Sequence, residues 1–326
     1  MSKQGYYKPV KSKDLHGSGS VRQLLSNLPA KTSAWQGSGL FPPEGTKADI
    51  IYYMTEFEIK PQTGFSLGLS ELWSYRELFY FFTWRDVKVK YKQAALGILW
   101  AILQPLVMMM MFTVIFSRAL HIDSENLPYP VFAISGLLIW NIFSSGLLNS
   151  ANSMVTNANI IKKIYFPRLI VPMSAILTAL VDFLFALIVY IGVLLYFHQP
   201  VDLLKLVGYL PLAILLTVIT TLGIGTFLSA LNVKYRDFQY VLPFLIQFLM
   251  FANPVLYSAK AITNPVLVWV MRCNPVATAI QLARGIFNQA PVDWVAVGCS
   301  SVVALLFLVM GVYVFRKTEA YFADLA

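Results

Sequence analysis

The chain has 326 residues, 57% hydrophobic and only 13% charged, with a mean hydropathy of +0.64. Soluble domains average roughly 45–50% apolar and about 25% charged, so this composition excludes an ordinary soluble fold and points to a membrane protein. The formal charge of +9 would suit a nucleic-acid binder if it lay on one folded face, but the basic residues are strung between apolar segments, which excludes nucleic acid as a partner.

Residues 1–69 are rich in Gly, Ser, Lys, Pro and Tyr with no sustained period, and read as a flexible cytosolic extension. Their first 20 residues lack the apolar core of a cleavable signal. At Ser70, a helix-capping residue, the pattern changes: Leu72, Tyr75, Phe79 and Phe82 recur at helical spacing. Residues 70–96 are predicted to form an interfacial amphipathic helix whose cations, Arg85, Lys88, Lys90 and Lys92, sit close to the bilayer. Val87, Val89 and Tyr91 alternate with lysines and would also suit a half-exposed strand, but the apolar run just beyond favours the interfacial helix.

A hydrocarbon core about 30 Å thick needs roughly 20 apolar residues of helix. Segments 97–118, 131–152, 169–197, 206–231, 240–259 and 294–315 meet that requirement. The predicted fold is an all-α integral membrane protein with six transmembrane helices over 97–315, an N-terminal interfacial amphipathic helix, an outer re-entrant helical hairpin and a cytosolic tail at 316–326. Of the 25 lysines and arginines, only Arg118, Lys205, Lys260, Arg272 and Arg284 fall on the side opposite the N-terminus, so both termini are expected in the cytosol.

Two loops on the cytosolic side stand out. NANIIKKIYFPR (157–168) has Asn157 or Asn159 to cap a short amphipathic helix and Pro167 to stop it. NVKYRDF (232–238) has room only for a charged turn. On the outer side, Asn253-Pro254, Asn264-Pro265 and Asn274-Pro275 punctuate residues 259–293 and its approach, and each pair disfavours helix before the proline. The apolar pieces between them are too short to span, which predicts a hairpin dipping into the membrane and packed on protein.

Chemistry-bearing patterns are sparse. There is no GxxxxGK[ST] phosphate loop, the two cysteines (Cys273 and Cys299) are too few for a disulfide framework or zinc site, and His16, His121 and His198 flank no nucleophile. No enzyme activity and no metal are expected. Asp182 is the one formal charge within the spans and must face protein, water or a partner group; it reads either as part of a proton relay or as a structural carboxylate bonded to a hydroxyl or backbone group. Trp100, Phe112, Phe116, Trp140, Phe143 and Tyr257 could line a sugar pathway or simply pack. Asn141, Ser144, Ser145, Asn149 and Ser150 place several polar groups on one stripe of the second span, suiting a helix seam or a wet channel wall.

YRELFYFFTWRDVKVKYKQAALGILWAILQPL (75–106), LPYPVFAISGLLIWNIF (127–143), NANIIKKIYFPRLIVP (157–172) and LNVKYRDF (231–238) resemble, in the same order, the membrane subunits of ABC-2 type exporters for lipid-linked polysaccharides: O-antigen, capsule and teichoic acid. The resemblance implies a homodimer enclosing a channel in the bacterial inner membrane. Two copies of a separate cytosolic ATPase would bind ATP and Mg, with no cofactor in this chain. It implies that Asn159, Lys162, Lys163, Tyr165, Phe166 and Arg168 dock onto the ATPase, with Lys234, Tyr235, Arg236 and Asp237 nearby. The helix before the first span would gate lateral admission of substrate, and the hairpin would form the external gate. On this reading Arg85, Lys88, Lys90 or Lys92 holds the diphosphate of a polyprenyl-linked glycan, foremost O-antigen. The rivals are an ion-coupled flippase or secondary transporter, which would need paired intramembrane charges and an internal repeat, and a membrane glycosyltransferase, which would need acids near one membrane face. Neither pattern is present.

Overall fold

The computed structural model describes residues 69–92, 97, 99–120, 124–164, 166–235, 237–287 and 292–319. The expectations for residues 1–68, for 93–96, for Tyr165 and Arg236, and for residues 320–326 lie outside the described residues. Among the described residues every regular element is helical and there is no strand. The described residues all belong to one compact unit.

The predicted 70–96 helix is two helices, α1 (Leu69–Ser74) and α2 (Arg76–Lys92). The Val/Lys alternation of 87–92 is helical. Leu72 on α1 and Phe82 on α2 are buried, whereas Tyr80, Phe81, Trp84 and Val89 of α2 are exposed, so the apolar side chains of α2 are not confined to one stripe. The single apolar stripe expected of an amphipathic helix is not seen in α2.

Five helices are long and apolar enough to cross a membrane. They are α3 (Leu99–Phe112, continued by a π-helical segment Thr113–Ala119), α4 (Tyr129–Thr156), α6 (Ile170–Tyr196), α7 (Leu203–Lys234) and α11 (Trp294–Glu319). The short α5 (Ala158–Ile161) lies between α4 and α6. Of the span expected at 240–259, the helix α8 covers only Phe238–Ala252, 15 residues or about 22 Å. It stops there because Pro254 pushes Asn253 into an extended conformation. The hairpin consists of α9 (Pro265–Arg272) and α10 (Pro275–Arg284), bent 84° from each other, either a broken sixth crossing or a re-entrant loop. Asn264 and Asn274 each cap a helix through the side-chain oxygen, with proline next in the first turn.

α4 is the hub, buried without interruption from Val131 to Trp140 and packed on α6, α7 and α10. α7 crosses α11 at bare backbone. A Cβ on Gly311 would lie 2.0 Å from the Gly223 carbonyl oxygen, and one on Gly223 2.4 Å from the Phe307 carbonyl carbon. Membrane helices use small residues for such crossings, where close backbone packing replaces the hydrophobic effect.

A second apolar cluster joins α1 and α2 (Leu72, Phe82) to Met154, Ile161, Phe166, Ala230 and Phe315. It gathers the α4–α6 loop, the C-terminal end of α7 and that of α11 at one end of the bundle with α2. At the other end, the turn before α4 meets the residues after α8: Tyr129 Oη donates to the Leu256 carbonyl (2.8 Å), and Glu125 accepts from Ser258 and pairs with Lys260 (3.2 Å).

Candidate functional site

The period of α2 puts Phe82 and Arg85 on the side facing the α4–α6 loop. Arg85 donates to Asp86 Oδ1 through Nε (2.9 Å) and Nη2 (2.6 Å), and through Nη2 to Asn157 Oδ1 (2.6 Å). The guanidinium carbon lies 4.8 Å from the centre of the Phe82 ring, which in turn packs on Phe166 at 5.6 Å between centroids. Asn157 therefore occupies the N-cap position of α5 without capping it: Oδ1 is taken by Arg85, and Nδ2 donates to the Ser153 carbonyl (2.8 Å). The amphipathic helix expected in this loop shrinks to the four residues Ala158–Ile161. Ile161 and Phe166 face inward, while Asn159, Lys162, Lys163 and Ile164 face out. Arg168 is engaged inward, donating to the Glu319 carbonyl (2.6 Å) at the end of α11. Lys234, Tyr235 and Asp237 are exposed on the neighbouring turn, with Lys234 Nζ 5.1 Å from the Tyr235 ring centre.

A second tie holds α2 to α6. Asp182 accepts from Lys90 Nζ on Oδ2 and from Tyr91 Oη on Oδ1, both at 2.5 Å. Burial first, then the hydrogen bond to Asp182, push the Tyr91 phenol well above its ordinary range, so it stays protonated as a donor. Both Asp182 oxygens are thus used in holding α2, an arrangement belonging to a structural carboxylate. Of the four cations proposed as a diphosphate site, Arg85 and Lys90 are committed to partners within the protein. Lys88 and Lys92 are exposed and make no ion pair among the described residues.

The C-terminal half of α4 carries the polar stripe. Between residues 141 and 152 the side chains not fully buried are Asn141, Ser144, Ser145, Leu148, Asn149 and Asn152, and only Leu148 is apolar. Ser145 returns its hydroxyl to the Asn141 carbonyl (2.5 Å), and Asn152 accepts from the buried Asn232 (2.9 Å). Ser150 lies on the opposite, fully buried side, against Gly225. The aromatic candidates separate likewise. Trp140 and Phe143 are core residues packed on each other at 5.4 Å, which corrects their placement as channel-lining rings. Phe112 is also buried, against the half-buried Phe116, whereas Trp100 is exposed and Tyr257 half-buried.

Sequence reasoning missed three side chains that the fold uses: Tyr91 on Asp182, Asn157 on Arg85, and Arg284, a buried cation on α10. No single-residue pattern marks the first two, because their partners come from distant segments.

A bundle of apolar helices with one helix tied alongside at the end that carries the basic loops, and a polar stripe on its central helix, defines a multi-pass membrane protein with transporter-like organisation. Residues 77–288 match the sequence profile of the ABC-2 type transporter family, and the chain belongs to that family. It is 31% identical to the O-antigen export system permease protein RfbA of Klebsiella pneumoniae, over 74% of this chain and 92% of that one. An O-antigen export system permease protein RfbA from Myxococcus xanthus is 28% identical over 67% and 83% of the two chains. The polysialic acid transport protein KpsM of Escherichia coli is 25% identical over 72% and 91%.

Proposed function

We propose that this chain is the membrane subunit of an ATP-driven exporter that moves a lipid-linked polysaccharide, foremost a polyprenyl-diphosphate-linked O-antigen, across the bacterial inner membrane. The observation that carries the reading is the stripe of Asn141, Ser144, Ser145, Asn149 and Asn152. In the most buried helix of an apolar bundle, the face left uncovered is polar. Such a face is costly against lipid and stable against water, a hydroxyl-rich chain or a second subunit. The names of the three similar proteins, each an export or transport component for O-antigen or polysialic acid, support the same class of cargo.

In this reading two copies enclose the pathway with their α4 stripes, and α8 with residues 253–258 supplies the remaining crossing. Both termini are cytosolic, as the distribution of basic residues supports. Asn159, Lys162 and Lys163 meet a separate ATPase, and its stroke reaches α2 through Arg85–Asn157 and Phe82–Phe166. Lys88 and Lys92 are the cations available to a diphosphate without breaking an internal pair. Transport in inverted vesicles tests this: glycan movement should require ATP and the partner ATPase. Movement driven by an ion gradient without ATP would instead establish a secondary transporter.

A further inference from the structure

Two asparagines meet where the last turns of α4 and α7 run side by side. Asn232 on α7 is fully buried, whereas Asn152 on α4 is partly exposed, at the end of the polar stripe that leads into the α4–α6 loop. The seam between the helices is tight, since a Cβ on Gly225 would lie 2.7 Å from Ser150 Oγ. Asn232 Nδ2 donates to the Ala151 carbonyl (3.1 Å) and to Asn152 Oδ1 (2.9 Å). Asn232 Oδ1 is buried and has no hydrogen-bond partner among the described residues.

These two bonds fix the direction of both amides. A carbonyl only accepts, so the Ala151 oxygen requires Asn232 Nδ2 on its side; turning the Asn232 amide over would set two oxygens against each other. The same Nδ2 then meets Asn152, which must offer its Oδ1. Asn152 Nδ2, with both of its N–H donors, is left on the side away from Asn232. It makes no hydrogen bond among the described residues, and it is not among the buried atoms that lack one. Asn152 shares its helical face with Asn149, Leu148, Ser145 and Asn141, so its donors open onto the stripe. Ser145, by contrast, uses its proton on the Asn141 carbonyl (2.5 Å) and presents lone pairs.

A buried amide that leaves its own oxygen unpaired is a poor way to join two helices, because the unpaired group carries a desolvation penalty that an apolar side chain of the same shape avoids. What the arrangement gains is a donor of fixed direction. Asn232 also stands two residues before Lys234, at the root of the exposed charged turn, so a displacement of that turn moves the group that orients Asn152.

We infer that Asn232 is a positioning residue, which holds the Asn152 amide so that its N–H groups donate to acceptor oxygens of the substrate passing along the stripe. The inference rests on the export reading above. Hydroxyl and ring oxygens of the glycan and oxygens of its diphosphate share this chemistry.

The test measures ATP-driven export by the permease assembled with its ATPase, as a maximal rate and a half-saturating concentration of lipid-linked glycan, both corrected for the amount of assembled complex. Asn152→Asp keeps an oxygen for Asn232 but removes the donors, and Asn152→Ala removes both without adding charge. Each should raise the half-saturating concentration about threefold to tenfold, the effect of losing one neutral hydrogen bond. Asn232→Leu, which removes the unpaired oxygen together with the donor, should raise it about threefold and add nothing when combined with Asn152→Ala. Wild-type half-saturation in Asn152→Asp with only Asn152→Ala impaired would show a structural tie and overturn the inference. So would effects of Asn232→Leu and Asn152→Ala that multiply, or losses confined to the maximal rate. Polyprenyl diphosphate carrying a single sugar, added as a competitor, separates the acceptors: its inhibition constant rises with the variants if the acceptor is on the diphosphate, and keeps its wild-type value if the acceptor is farther along the glycan. Absence of ATP-driven export by the wild type removes the export reading itself, whereas wild-type export with half-saturation unaltered in both Asn152 variants removes only this role.

Discussion

Replacing Arg85 and Asn157, singly and together, probes the link between the α4–α6 loop and α2. The Nη2–Oδ1 bond is 2.6 Å long, Asn157 is 7% exposed, and about a quarter of the Arg85 side chain is exposed. A hydrogen bond to a charged group is worth about 1.5–3 kcal/mol when shielded, and an exposed ion pair about 0.2–1. The partial exposure places this bond near 1.5 kcal/mol, or about a tenfold change in an equilibrium. Arg85→Ala also leaves Asn157 Oδ1 buried without its donor, so each single change should cost as much as losing the bond. If ATPase-driven movement passes through it, Arg85→Ala and Asn157→Ala should each lower glycan export about tenfold at nearly constant ATP hydrolysis. The double variant should be no worse than the worse single. Export losses that multiply in the double variant, or singles that export normally, would refute the link.

Asp182→Asn keeps an acceptor for Tyr91 but removes the charge opposite Lys90. Because Lys90 is nearly half exposed, assembly should survive with a loss of no more than about 1 kcal/mol, checked by thermal unfolding of the purified complex. Asp182→Ala, which strips both bonds, should be clearly less stable. Gly311→Ala drives a methyl into the Gly223 carbonyl and should cost about 2–3 kcal/mol, whereas Gly298→Ala on the same helix meets nothing within 4 Å and should be neutral; paired melting curves compare them. Lys88→Gln with Lys92→Gln should abolish export while leaving membrane insertion intact, measured by fractionation alongside an export assay, and normal export would remove these cations from the diphosphate role.

Much of the architecture was legible because a span is a local property: length and hydropathy placed five crossing helices within a few residues of their ends. The Asn-Pro pairs marked real helix starts at Pro265 and Pro275, since a residue before proline is pushed out of helix wherever it stands. The same rule cut α8 short at Ala252, where hydropathy alone continued to residue 259. Contacts between distant segments were not legible. Asn157 had the composition of a cap, and only the approach of Arg85, 72 residues earlier, turns its side chain away from α5. Trp140 and Phe143 sit on the same helix as the polar stripe, and burial, which needs the neighbouring helices, separates core from wall.

The polar wall of α4 is tested most directly by single cysteines at Asn141, Ser145 and Asn149, with Leu147 and Ala151 as buried controls and Cys273 and Cys299 changed to alanine. In the assembled transporter, a membrane-impermeant thiol reagent should label the three stripe positions during ATP turnover, spare the two controls, and be blocked by saturating lipid-linked glycan. Stripe positions that react only with a lipid-soluble reagent, and whose labelling glycan leaves unchanged, would contradict a glycan pathway along α4.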